Sequence, residues 1–181
     1  MKRKFETFIE IPEGVECSYQ NGEFECKKGE NLLKKKMSLF DTKVEVKDGK
    51  ISFNIKKANK NNIKIIRSCI SHLKNIFSGL EKDFVYRLEI CYVHFPMTVK
   101  LEGNKLVISN FLGEKKSRTV KIEEEVKVEV KGKDVVVSGR DLEKVGQTAA
   151  NIENATKVSG RDRRIFQDGI FIVSKKRAIE E

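Results

Sequence analysis

Two stretches of the chain carry apolar residues at helical spacing. Ile63, Ile66, Ile70, Leu73 and Ile76 step by 3, 4, 3 and 3 residues, and Leu142, Val145, Ala149, Ile152 and Ala155 step identically. Each set traces one stripe of a 3.6-residue helix, with Lys64, Arg67 and Lys74, or Glu143, Lys144 and Glu153, falling off it. The second stripe has smaller residues and includes Gly146, so that helix is expected to pack closer and to be weaker alone. Ahead of each helix the period drops to two. Val44 and Val46, then Ile51, Phe53 and Ile55, alternate with polar residues around Asp48-Gly49, a hairpin signal. Val126, Val128 and Val130, then residues 135–137, repeat the arrangement around residues 131–134. Earlier pairs, 15–19 with 24–26 and 99–101 with 106–108, turn at Asn21-Gly22 and Gly103-Asn104.

These parallels point to an internal duplication. Val44-Glu45-Val46-Lys47 recurs 84 residues later as Val128-Glu129-Val130-Lys131, and Gly29-Glu30 and Val15 meet Gly113-Glu114 and Val99 at the same offset. The helices are 79 residues apart, so about five residues were lost between strand and helix, where loops tolerate deletion. Each copy reads as antiparallel strands followed by one amphipathic helix, whose apolar faces bury each other. The expected fold is α+β: two tandem duplicated domains, each an antiparallel or mixed sheet packed on one helix. The boundary is expected within residues 82–95, giving domains 1–85 and 86–181, with strand-like residues 88–93 joining them. The charged tail, 174–181, is expected to fray.

Charge then separates the halves. The 181 residues hold 37 Lys+Arg against 27 Asp+Glu, a formal charge of +10. Residues 156–177 carry Lys157, Arg161, Arg163, Arg164, Lys175, Lys176 and Arg177 against only Asp162 and Asp168. The apolar run 170–173 that follows is expected to bury itself as a strand and hold the arginine loop in place. Lys115, Lys116 and Arg118 form a second cluster, and Lys34, Lys35 and Lys36 occupy the matching place in the first domain. Lysine runs are commonly solvated faces. Clustering in anchored loops, with arginines that grip phosphate oxygens bidentately, favours a polyanion partner. Tryptophan is absent, so a stacking platform for single strands is poorly supported, and no two glycines are three apart as a Gly-x-x-Gly clamp requires. Structured RNA and duplex DNA remain open at this point.

Other classes lack their signatures. The sequence has no P-loop, no Gly-x-Gly-x-x-Gly and no Gly-x-Ser-x-Gly elbow, and no catalytic residue, cofactor or metal is expected. Asp162 and Asp168 are expected to pair with arginines or cap turns, and His94 to make a structural hydrogen bond. Cys17, Cys26, Cys69 and Cys91 contain no Cys-x-x-Cys pair; Cys17 and Cys26 lie on strands that read as neighbours, and reduced structural thiols are expected. No run of 18 apolar residues and no apolar segment after the basic start are present, so neither membrane nor secretion is expected.

Three motifs carry a resemblance. Cys91-Tyr92-Val93-His94-Phe95-Pro96-Met97-Thr98-Val99, Ser109-Asn110-Phe111-Leu112-Gly113-Glu114-Lys115, and Arg164-Ile165-Phe166-Gln167-Asp168-Gly169-Ile170-Phe171 resemble the ribosomal protein L-six family of the large subunit. The likeness is to its archaeal and eukaryotic branch, whose eukaryotic members carry the older name L-nine. It covers essentially the whole chain. The resemblance implies two similar α+β domains and binding to large-subunit rRNA, mainly through the C-terminal domain near the translation-factor site. It also implies neighbouring ribosomal proteins, a cytoplasmic location and no small-molecule substrate. Lys115, Lys157, Arg161 and Arg164 fall in matching motifs as phosphate contacts, and Asp168-Gly169 as a structural turn. The chain departs from the family at residues 26–31, where relatives have a Gly-rich basic turn with proline. A non-ribosomal duplex-binding module and a protein-interaction scaffold are the alternatives.

Overall fold

Strand pairing repeats one plan in two units, Met1–Glu81 and Lys82–Glu181, each with its own apolar core. The computed structural model describes residues 3–37, 39, 42–47 and 49–176. Arg177 and Asp48 lie outside the described residues, as do tail residues 178–181.

The first unit runs β1 (Arg3–Glu10), β2 (Glu16–Gln20), β3 (Glu23–Lys28), β4 (Asn31–Lys36), β5 (Lys43–Lys47), β6 (Lys50–Ala58) and α1 (Lys60–Glu81). Its two sheets are ordered β1-β6-β5 and β2-β3-β4. Asn59 starts the helix by accepting the Asn62 N–H at 2.8 Å. The buried stripe of α1 is Ile66, Cys69, Leu73, Phe77 and Leu80; Ile63, Ile70 and Ile76 pack along its edge. The buried face is thus rotated from the expected stripe toward Cys69 and Phe77.

The second unit contains β7 (Phe84–Cys91), β8 (Thr98–Glu102), β9 (Lys105–Ser109), a 3-10 turn (Phe111–Gly113), β10 (Arg118–Lys121), β11 (Lys127–Lys131), β12 (Asp134–Gly139), α2 (Leu142–Ala155) and β13 (Gly169–Lys176). The sheets are β11-β12-β7-β13 and β10-β9-β8, and every pairing described is antiparallel. Strand β7 sits beside β12 as β1 sits beside β6, so residues 84–91 are an internal strand of the second sheet and not a connector. In the hairpins that follow, Cys17 faces Cys26 and Val99 faces Ile108, an offset of 82 residues. Val15 is thus the counterpart of Met97, not of Val99; both are buried just ahead of their strands.

Helix α2 buries Val145, Ala149 and Ile152, each side chain contributing about 1.5–3 kcal/mol when aliphatic and large. Asp141 caps its start by accepting the Glu143 N–H at 2.9 Å. It ends at Ala155, four residues before the Ser159-Gly160 stop that the sequence suggests. Strand β13 has no counterpart among the described residues of the first unit. It lies at the sheet edge beside β7 and alternates: Ile170 is fully buried, while Phe171 and Val173 are 44% and 64% exposed. The apolar run is therefore half-covered, and Ser174, Lys175 and Lys176 continue the strand instead of fraying.

Candidate nucleic-acid interface

Between α2 and β13 the chain crosses the second unit as a strap, residues 156–168, and side chains pin it at three places. At its start, the Thr156 hydroxyl donates to the Glu153 carbonyl at 3.2 Å and accepts the buried Ile170 N–H at 2.9 Å. The Glu153 carboxylate accepts the Ile172 N–H at 3.1 Å, so the helix end is stitched to the new strand. In the middle, the Asp162 carbonyl accepts the N–H groups of Ile165 and Phe166, closing a turn. The Asp162 carboxylate accepts the Arg164 N–H and its guanidinium, and these bonds hold its carboxyl below the usual value.

The end of the strap is held by Asp168, whose side chain is 1% exposed. One oxygen accepts the Val93 N–H at 2.7 Å and the His94 N–H at 3.1 Å; the other meets His94 Nδ1 at 2.8 Å. Burial by itself raises the Asp168 pKa, but the bonds from the His94 ring and from the two backbone N–H groups outweigh it. The carboxyl accordingly lies below its ordinary value. The His94 ring stacks on Phe166 with centroids 4.8 Å apart, and the Arg161 guanidinium lies 4.8 Å from the same Phe166 centroid. Asp168, through His94, thus fixes the platform on which one arginine rests.

A second loop, residues 110–117, is positioned by a different set of contacts. Phe111 is buried, and Asn110 donates its amide to the Pro96 carbonyl at 3.0 Å. Asn110 and Leu112 both have φ in the left-handed region, at 61° and 49°, which costs energy for a branched residue such as Leu. Gly113, at φ 77°, leaves room for the Phe95 ring against its α-carbon. Arg118 closes the loop: its guanidinium lies 4.2 Å from the Phe111 centroid, bonds Glu114, and donates to the Ala155 carbonyl at 2.7 Å. Glu114 is held below the usual carboxylate range by the Arg118 bonds, with a further contribution from the positive charge of Arg161. The Arg118 bond to the carbonyl of Ala155, the residue just before the strap, places the loop beside it.

The structure therefore brings Lys115, Lys116, Lys157, Arg161, Arg163 and Arg164 onto adjoining exposed segments of one unit. Lys115, Lys116, Lys157 and Arg163 make no ion pair among the described residues, whereas Arg164 is paired with exposed Asp162. A cleft of about 610 Å³ lies beside them, lined by Cys91, Val158, Phe166 and Phe171 with Lys157 and Arg163.

Other expected positions fall elsewhere. Arg118 has each guanidinium nitrogen bonded within the protein, a structural role set by the helix end and the loop acid next to it. Lys175 faces Tyr86 six strand positions from Gly169, about 20 Å along β13 at roughly 3.3 Å per residue. Lys176 follows it in register opposite Val85. Lys34, Lys35 and Lys36 belong to β4 and not to a turn; Lys34 faces Glu25 across the sheet and pairs with it. Asp168 and Gly169 do not form a turn: Asp168 ties the strap to residues 93–94, and Gly169 opens β13 opposite Cys91. Gly169 is small for a steric reason, since a Cβ there would stand 3.0 Å from the Phe171 ring and 3.4 Å from the Thr156 carbonyl. The positioning roles of Thr156, Phe111 and Phe166 carry no local signal in the sequence; only the surroundings of His94 give a hint, through its expected structural hydrogen bond.

A family model described as Ribosomal protein L6 matches residues 95–169, the stretch that contains both loops and the strap. Large ribosomal subunit protein uL6 of Methanosarcina mazei is 45% identical over 175 residues, covering 97% of this chain and 99% of that protein. The protein of the same name from Methanococcus vannielii is 45% identical over 92% of both chains. That of Saccharolobus solfataricus reaches 53% over 119 residues, 66% of each.

Proposed function

Because this chain belongs to the ribosomal protein L6 family and is a structural constituent of the large ribosomal subunit, we propose that its second unit grips large-subunit rRNA through the pinned strap and the loop beside it. The proposed contacts are Lys115, Lys116, Lys157, Arg161, Arg163 and Arg164, each meeting phosphate without reading bases. One observation carries the reading: four exposed cations, without acid partners among the described residues, stand on backbone that buried Asp168, Thr156 and Phe111 hold rigid. Rigid presentation matters because ordering a loop on binding subtracts from affinity, and here it is ordered beforehand. The Arg164–Asp162 pair is exposed, so exchanging Asp162 for a phosphate costs little. Placement near the translation-factor site, alongside neighbouring ribosomal proteins in the cytoplasm, rests on the family resemblance.

The test is a salt titration of binding to large-subunit rRNA. The triple change Arg161→Ala, Arg163→Ala and Arg164→Ala should weaken binding and reduce the slope of log K against log salt by about 1 for each phosphate no longer neutralised. An unchanged slope would remove the strap from the interface.

A further inference from the structure

A pair of thiols in the first unit has no part in the interface described above. Cys17 on β2 and Cys26 on β3 face each other in register, and their sulfurs are 2.7 Å apart. Directly opposed residues of antiparallel strands have α-carbons about 4.5 or 5.5 Å apart. Both spacings fall within the range of about 4.4–6.8 Å that a disulfide bridges, and the bonded sulfur distance is about 2.05 Å. Closing the bond therefore requires sulfur movement of well under an ångström and no change of strand register. Cys26 is fully buried, while Cys17 is only partly buried at the edge of the same core. Cys69 and Cys91 have no sulfur partner among the described residues.

We propose that Cys17 and Cys26 form a reversible cross-strand disulfide when the protein meets a peroxide. The ionised state belongs on Cys17: the hydrogen bond between the two sulfurs lowers its pKa, while that bond and burial push the Cys26 thiol far up. The Cys17 thiolate attacks one peroxide oxygen, the O–O bond breaks, and hydroxide leaves with the proton that Cys17 gave up, as water. Cys17 is now a sulfenic acid, and the peroxide has been reduced. The Cys26 sulfur then loses its proton and attacks the Cys17 sulfur; the S–O bond breaks and the second water departs. Two thiols and one peroxide become one disulfide and two waters. The new bond ties β2 to β3 at the buried Cys26, close to Phe24 of the same core, and a thiol reductant reverses it.

The experiment treats the full-length folded chain with hydrogen peroxide, quenches it, and maps peptides without reduction. Residues 5–27 form one tryptic peptide that holds both cysteines and neither of the others. The expected result is that this peptide loses two hydrogens, regains them on adding dithiothreitol, and does so at lower peroxide than any change at Cys91. In Cys26→Ser, which keeps a hydrogen-bonding group beside Cys17 but removes the thiol that would close the bond, the same peptide should gain oxygen instead. Oxygen added to the wild-type peptide, chains linked to each other through Cys17, or oxidation of Cys91 while the pair stays reduced would each overturn the proposal. So would an inert Cys17 in the Cys26→Ser variant.

Discussion

His94 and Asp168, 74 residues apart in sequence, meet at a junction of three hydrogen bonds: the buried carboxylate takes the His94 N–H at 3.1 Å and its ring nitrogen at 2.8 Å, with the Val93 N–H at 2.7 Å beside them. This junction locks the end of the arginine strap to the loop that follows β7. It also orients the imidazole on which Phe166 stacks, and Arg161 rests over that ring. One buried acid therefore supports a basic surface it does not belong to.

Replacing that acid should loosen the surface without altering its charge pattern. Asp168→Ala leaves two backbone N–H groups with no acceptor, at about 1–3 kcal/mol each, and frees the His94 ring. The expected loss is roughly 3 kcal/mol of stability in the second unit, with faster hydrogen exchange at Val93 and His94. RNA affinity should fall as well, because the strap must then be ordered on binding.

The same junction sets a pH dependence. Asp168 has a lowered pKa when folded, so its contribution is fully present above the unfolded value, about 3.9, and disappears as pH falls through the lower folded value. Denaturant midpoints measured from pH 7 down to about pH 2 should show wild type and Asp168→Asn converging only below about pH 4. Convergence already at about pH 6 would assign the linkage to another group.

Two neighbouring cation sites should separate cleanly in their effects. Arg118→Ala removes the bond to the Ala155 carbonyl and the packing over Phe111, and is expected to cost about 1–2 kcal/mol of stability. Arg118→Lys should rescue little, since a single ammonium does not reproduce the planar fork. Lys115→Ala with Lys116→Ala should leave stability within about 0.5 kcal/mol and instead lower the salt slope of RNA binding by about 2. Thermal melts and salt titrations of the two variants distinguish the roles.

Gly169→Ala should be tolerated only by moving an exposed ring. The added methyl meets the far edge of Phe171 at 3.0 Å, and that ring is 44% exposed and able to swing, while the Thr156 carbonyl at 3.4 Å is ordinary contact. The expected loss is about 1 kcal/mol, and Gly169→Ala combined with Phe171→Ala should recover most of it. A double variant as unstable as the single one would place the strain in the backbone.

Much of the architecture is legible from periodicity, and the reasons for the exceptions are physical. Strands β5 and β11 alternate valine with charge, β6 alternates apolar with polar residues, β12 carries a valine run, and both helices carry continuous stripes, so each advertises itself. Strand β4, Asn-Leu-Leu-Lys-Lys-Lys, does not: its lysines lie on a strand whose half-buried positions include Lys35, so the run resembles a basic loop. Strand β7 reads as a connector because its role depends on partners far along the chain, β12 and β13. The cations of the strap can be read one by one, since charge is local information. What pins them cannot, because the donors to Asp168 lie 74 and 75 residues upstream and the acceptor for Ile170 is a helix-end threonine. Arg118 shows the converse: its sequence neighbourhood suggests phosphate, and its spatial neighbourhood is an acid, a ring and a carbonyl.

The central claim is that a rigid strap aims its guanidinium groups at an RNA backbone, and the most direct test is a structure of the large subunit assembled with this chain. The account predicts residues 157–164 ordered, with the Arg161, Arg163 and Lys157 head groups within hydrogen-bonding reach of rRNA phosphates. The same segment well ordered but facing open solvent, with rRNA held elsewhere on the chain, would contradict it.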